Sequence, residues 1–188
     1  MFPTLYDTPE HDALRDQVAR FLAREVEPHA DRWEEQGFVP RDVLRRMGQA
    51  GFFGLMYESA YGGAQADALA NLVFAEALSQ STYAGFIITV LVHTDMASPH
   101  LHHAGTPAQK DRYLRKVIAG ELITAVGITE PGAGSDVASL RTTARRDPGS
   151  GDWILDGEKV FITSGLRADW LTVAVRTAPA KGASGISM

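Results

Sequence analysis

The apolar residues change period partway along the chain. Up to about residue 120 they return at three- and four-residue steps, and beyond residue 122 they alternate with polar residues. A period near 3.6 puts one face of a helix against a core, whereas a period of two puts every second side chain on one face of a strand. The change divides the chain into an amino-terminal all-helical domain, 1–121, and a β domain, 122–188, which makes the fold α+β.

Within the first part, Leu14, Val18, Phe21, Leu22 and Val26 mark one helix face, and Thr8-Pro9 places proline at the first helical position. Pro28 is expected to kink or end that helix, with 31–36 able to extend it. A second helix over 40–50 turns Val43, Leu44 and Met47 to one side and stops at Gly51. Further helices are expected over 67–78 and 82–97, with a short turn or helix at 98–103. The next begins at Gly105-Thr106-Pro107, where Thr106 serves as cap, and runs to Gly120.

In the second part, 122–129, 140–145 and 170–177 read as strands. The segment 153–155 is expected to pair with 159–163 across Asp156-Gly157, a two-residue hairpin signal, and 147–152 is a hairpin loop. The segment 178–184 is a loop of small residues, and 185–188 looks like the beginning of another strand. About five strands do not readily close a barrel. The expectation is therefore an incomplete antiparallel β-barrel.

Composition narrows the function classes. A formal net charge of −5 argues against a nucleic-acid surface, and zero cysteines exclude disulfides, thiolate zinc sites and cysteine nucleophiles. Residues 1–5 lack the basic flank and apolar core of a leader, and the longest apolar stretch, 84–92, is broken by Gly85 and Thr89. A soluble, cytoplasmic protein without a membrane span is the expectation.

The segment Gly127-Ile128-Thr129-Glu130-Pro131-Gly132-Ala133-Gly134-Ser135-Asp136-Val137-Ala138-Ser139 joins the first two strands. Its glycines let backbone approach a ligand closely, and successive N–H groups could cradle a phosphate. On these grounds it is either an anion-binding loop or an ordinary tight connection. A dinucleotide-binding loop is disfavoured because a strand, not a helix, follows.

The same stretch resembles the signature of the acyl-CoA dehydrogenase family. So do Gly51-Phe52-Phe53-Gly54-Leu55, Tyr61-Gly62-Gly63, Gly105-Thr106-Pro107-Ala108-Gln109-Lys110 and Gly157-Glu158-Lys159-Val160-Phe161-Ile162-Thr163-Ser164-Gly165. His93-Thr94-Asp95 with Val160-Phe161-Ile162-Thr163 is most similar to the long-chain branch. The resemblance covers nearly the whole chain in order. It implies FAD as cofactor, an acyl-CoA substrate and electron-transferring flavoprotein as acceptor. Val126, Ile128, Thr129, Gly134 and Ser135 would wrap the flavin, with Ile128 against the ring system, Thr129 on its polar edge, and Gly134 and Ser135 at the pyrophosphate. Ser135 would also meet the acyl-CoA. Phe161, Ile162 and Thr163 would face the other side of the flavin, with Thr163 near N5. Two departures stand out: Val126 occupies a place where the family often has an aromatic residue, and Tyr57-Glu58-Ser59-Ala60 stands where a Pro-Glu-Glu-like stretch is common.

The implied reaction is α,β-dehydrogenation of a thioester, with a Glu base in a carboxy-terminal helical bundle, beyond Met188 and absent from this chain. No catalytic residue is assigned within it. Glu130 and Asp136 read better as a salt-bridge partner and a turn acceptor, and His93, His100, His102 and His103 do not make a metal site. The chain alone would supply part of the flavin shell and be inactive; a full-length homo-tetramer or dimer is implied, in the mitochondrial matrix if the source is eukaryotic. Two competitors remain: an acyl-CoA oxidase or flavin monooxygenase of the same fold, and a non-catalytic interaction module.

Overall fold

A computed structural model describes residues 8–179 and 182–188, so the readings of residues 1–5 and of the middle of the 178–184 loop lie outside the described residues. Helix α1, Pro9–Phe21, opens with a reciprocal cap between Thr8 and His11. The His11 ring also reaches the carboxylate of Asp67, which caps the amino terminus of α4, Ala68–Leu78. One buried imidazole thus ties the starts of two packed helices together. After α1 the chain continues without a break through a π turn, Leu22–Val26, and a 3-10 turn, Glu27–His29, into α2, Ala30–Gln36. Pro28 falls in the 3-10 turn and changes the helix type without ending the rod.

Helix α3, Arg41–Gln49, buries Val43, Leu44 and Met47, and the chain leaves it through Gly51 at φ 85°. A left-handed residue there satisfies the last carbonyls, which is why glycine serves as the stop. Helix α5, Ala84–Leu91, runs into a second π turn, Val92–Ala97, then α6, Ser98–Ala104. Thr106 caps α7, Pro107–Gln109, which passes through a third π turn, Lys110–Leu114, to α8, Arg115–Ile118. The core between these helices is aromatic and aliphatic: Val18, Leu22, Val26, Trp33, Val43, Met47, Phe52, Phe53, Phe74, Phe86 and Val90 are buried.

The β part is mixed where an antiparallel barrel is expected. Strand β1, Thr124–Gly127, pairs in parallel with β4, Trp170–Val173. A separate four-stranded sheet has the order β3-β2-β5-β6, with β2 Thr143–Arg146, β3 Trp153–Asp156, β5 Val175–Arg176 and β6 Ile186–Ser187. The β2–β3 and β5–β6 pairs are antiparallel, and β2–β5 is parallel. The hairpin loop over 147–152 is found, with Asp147 and Asp152 bonded through the backbone.

The hairpin at Asp156-Gly157 is not found. Gly157 stands at φ 148°, and a Cβ on it would lie 2.6 Å from Thr142 Oγ1 and 2.7 Å from Thr142 Cα. Its glycine permits a close approach to the chain leading into β2, so the backbone leaves β3 sideways. Residues 157–169 then form an irregular loop containing Phe161 at φ 56° and Ser164 at φ 60°. Among the described residues no helix is long and apolar enough to cross a membrane.

His93 joins the two parts. Its Nε2 donates to the Val117 carbonyl at 3.1 Å and its Nδ1 accepts from the Thr124 amide at 3.2 Å, linking the second π turn to α8 and to the start of β1. Burial pushes this imidazole down to about 4, which keeps it neutral, with Phe53 4.5 Å away ring to ring. From the other strand, Thr172 donates to the Ala97 carbonyl at 3.1 Å. The β1–β4 ribbon is therefore seated on the helical part by polar contacts at both strands.

Candidate functional site

The two segments singled out from the sequence lie side by side. Strand β1 carries Val126, half-buried and in register with Thr172; Ile128 and Thr129 follow it, also half-buried. The Thr129 carbonyl accepts the Val160 amide at 2.9 Å, and Lys159 Nζ donates to the Ile128 carbonyl at 3.1 Å. These contacts bring Phe161, Ile162 and Thr163 next to the end of β1 although they lie in a loop.

Glu130 explains why the neighbours stay together. Its carboxylate, in a residue only 7% exposed, accepts from Lys159 at 2.9 Å, the Arg141 amide at 2.6 Å, the Thr142 amide at 2.8 Å and the Thr142 hydroxyl at 2.5 Å. Burial alone would raise this carboxyl, but those donors outweigh it and hold it at about 2. Glu130 is thus ionised and fully engaged, and it binds the glycine-rich loop, the approach to β2 and the second segment into one unit. The salt-bridge reading of Glu130 is correct. Its partner Lys159 was not singled out, and no local pattern marks it, because the pair spans 29 residues.

Beyond Glu130 the chain makes a tight reciprocal turn to Ala133, then presents Gly134 and Ser135 at the surface. A Cβ on Gly132 or Gly134 would meet nothing within 4 Å. These glycines are therefore not needed for packing among the described residues, and their backbone lies open to approach from outside. Asp136 accepts the Ser139 hydroxyl and its carbonyl the Ser139 amide, as a turn acceptor. Phe161 is 94% exposed at a left-handed φ of 56°, a conformation that costs a non-glycine residue roughly 1–2 kcal/mol. Ile162 and Thr163 beside it are half-buried.

Thr163 and Ser164 also line a cleft of about 220 Å³ shared with Phe38, Val39, Tyr83, Ile88 and Thr89 of the helical part. The far wall of the second segment is therefore built by α5 and by the residues before α3. An exposed Phe161 ring, open backbone at Gly132 and Gly134, and the hydroxyls of Thr129, Ser135 and Thr163 are the kinds of group that suit a flat, polar-edged ring joined to an anionic phosphate chain. Thr163 lines the cleft towards the helical part, and the glycine-rich loop lines a separate one with Arg141 and Gly157.

The chain matches the family model "Acyl-CoA dehydrogenase, N-terminal domain" over residues 8–121 and "Acyl-CoA dehydrogenase, middle domain" over 125–188. It is 39% identical over 183 residues to the mitochondrial long-chain specific acyl-CoA dehydrogenase of Mus musculus, covering 95% of this chain and 41% of that one. The crystal structure of an acyl-CoA dehydrogenase from Geobacillus kaustophilus superposes with a TM-score of 0.90 at 37% identity, over 98% of this chain and 48% of that one. An acyl-CoA dehydrogenase from Bacillus anthracis solved with FAD superposes at 0.87 and 30% identity, over 94% and 30% of the two chains. The chain spans less than half the length of each of these relatives.

Proposed function

The chain belongs to the acyl-CoA dehydrogenase family, and from that premise we propose that it supplies the flavin-facing half of an FAD enzyme that introduces a double bond between the α and β carbons of an acyl-CoA thioester. The observation that carries this reading is the junction of the glycine-rich loop with the Phe161–Thr163 segment through Glu130 and Lys159. When bound, FAD would take the hydride that leaves the β-carbon as a carboxylate removes the α-proton.

The residues of this chain have supporting roles. Open backbone at Gly134 and Ser135 would receive the pyrophosphate, and Ser135 would also meet the acyl-CoA. Val126, Ile128 and Thr129 would border the ring system on one side, and Phe161, Ile162 and Thr163 on the other, with the Thr163 hydroxyl as the polar contact. Glu130 is held ionised in an ion pair and Asp136 is engaged with Ser139, so neither is placed to remove the α-proton. The base is assigned to a Glu outside these 188 residues. The domain boundary is placed at 121/122, the acceptor is electron-transferring flavoprotein, and the working form is a homo-oligomer.

The test is anaerobic titration of the intact FAD-loaded protein with acyl-CoA thioesters of graded length. Bleaching of the flavin band with formation of the 2-enoyl thioester is expected, followed by reoxidation by electron-transferring flavoprotein. Rapid reoxidation by air alone would instead mark an oxidase. No FAD uptake by the intact protein would refute the enzyme reading and leave an interaction module.

A further inference from the structure

We propose that Arg41 and Asp169 form a positioning clamp through which the helical part sets the place of the Phe161–Thr163 segment; the proposal rests on the flavin reading of that segment. Arg41 is the first residue of α3, where a cation meets the positive end of the helix dipole and gains nothing from it. Its side chain is engaged elsewhere. Nη1 donates to Asp169 Oδ2 at 2.6 Å, and Nη2 donates to Asp169 Oδ1 at 3.2 Å and to the Arg167 carbonyl at 2.6 Å. Such a forked contact fixes orientation as well as distance, which a single point charge does not.

Asp169 in turn accepts the Ile123 amide at 2.9 Å, and its own amide donates to the Ile123 carbonyl at 2.8 Å. The clamp therefore closes at the residue that leads into β1. A second contact runs the opposite way: Arg167 donates to the Val39 carbonyl at 2.5 Å, with its guanidinium 4.4 Å from the Phe38 ring centre. Between Thr163 and these anchors the chain makes only tight turns, with the Ile162 carbonyl bonded to the Gly165 amide and the Ser164 carbonyl to the Arg167 and Ala168 amides. Little slack separates the clamp from Thr163. The other end of the segment is held by Lys159, so the loop is fixed at both ends and Phe161 projects from its middle. The two anchors are unlike: Lys159 binds within the β part, and Arg41 reaches across from the helical part.

The experiment uses the intact FAD-loaded protein and the variants Arg41→Met, Arg41→Lys and Asp169→Asn, with Arg46→Met as control. Arg46 lies on the same helix and pairs with Glu25 and Asp42, away from the loop. Amide hydrogen exchange over 160–169 and over α4 is measured by mass spectrometry, together with the flavin absorption spectrum, kcat and KM for acyl-CoA. In Arg41→Met and Asp169→Asn, exchange over 160–169 is expected to rise about tenfold with α4 unchanged. The flavin band should shift, and kcat should fall with KM held within about twofold. Arg41→Lys should recover part of each effect, and Arg46→Met should show none. Unchanged exchange over 160–169 in Arg41→Met would overturn the clamp itself. Faster exchange with spectrum and kcat unchanged would overturn the positioning role. If the unsubstituted protein takes up no FAD, the flavin reading fails and takes the positioning role with it, while the exchange data still report separately whether the contact holds the loop.

Discussion

Replacing Lys159 with methionine, alone and with Glu130→Gln, probes the contact on which the site depends. The donors around Glu130 bring its carboxyl from 4.5 to about 2. At about 1.4 kcal/mol per pH unit the whole set contributes about 3 kcal/mol at neutral pH. Lys159→Met removes one donor and leaves a charged carboxylate in a residue 7% exposed, so a loss of about 2–3 kcal/mol is expected. Glu130→Gln should cost about as much, because it leaves Lys159, 11% exposed in its side chain, with only the Ile128 carbonyl. The double variant should cost less than the sum by at least about 1 kcal/mol, the signature of a direct pair. The pH dependence has a fixed sign. The folded state holds the carboxyl below its unfolded value, so the unfolded chain binds more protons between pH 4.5 and about 2. The stabilisation is whole above 4.5 and is lost as the pH falls through that window. Urea unfolding followed by circular dichroism should therefore show the gap between wild type and Glu130→Gln closing from pH 5 downwards. A gap that stays flat to pH 2.5, or additive single costs, would refute the assignment of Glu130 and Lys159 as the tie between the two segments.

Other expectations follow from neighbouring groups. His93→Gln should cost about 1–2 kcal/mol at pH 7 through poorer hydrogen bonds to Val117 and Thr124. It should also abolish a pH dependence present in the wild type: burial lowers the ring from 6.5 to about 4, the unfolded state takes up the proton first, and stability falls as the pH drops through that interval. Urea midpoints between pH 7 and 4.5 check both. Gly157→Ala should destabilise by about 2 kcal/mol or more, since its Cβ would meet the Thr142 backbone at a φ of 148°, and thermal unfolding reads the loss. Gly134→Ala should leave stability within about 0.5 kcal/mol because its Cβ meets nothing, yet weaken FAD uptake measured by fluorescence titration. Unchanged uptake would refute the pyrophosphate role of that backbone.

The helical part was legible because its signals are local. Thr8-Pro9, Gly51 and Thr106-Pro107 act over one turn, and the structure places a cap or a stop at each. The π turns were not legible: they occur at 22–26, 92–97 and 110–114 inside runs whose apolar spacing reads equally as α-helix. The β part was legible only in part: 159–163 lies in a loop, 170–177 divides into β4 and β5 of two different sheets, and the pairings were not legible. Asp-Gly is a hairpin signal only when the glycine supplies a turn, and Gly157 instead supplies room beside Thr142, a fact about a neighbour fifteen positions earlier.

The same distinction separates what could be read of the site from what could not. The residues proposed to touch the flavin lie in two short contiguous segments, and contiguous residues carry a recognisable order. The residues that bring those segments together do not. Glu130 and Lys159 are 29 positions apart, and Arg41 and Asp169 are 128 apart. Each is an ordinary charged residue in its own surroundings, and each gains its role only from the fold. The loop proposed to face the flavin exposes a left-handed Phe161 at its middle, so burial of that ring does not hold it, and polar ties at its ends set its position. Those ties anchor one end in the β part and the other in the helical part. A shift of α3 against β1 would therefore reach Thr163 through Arg41 with Asp169 and through Arg167 with Val39, and this makes the junction between the two parts a component of the proposed site.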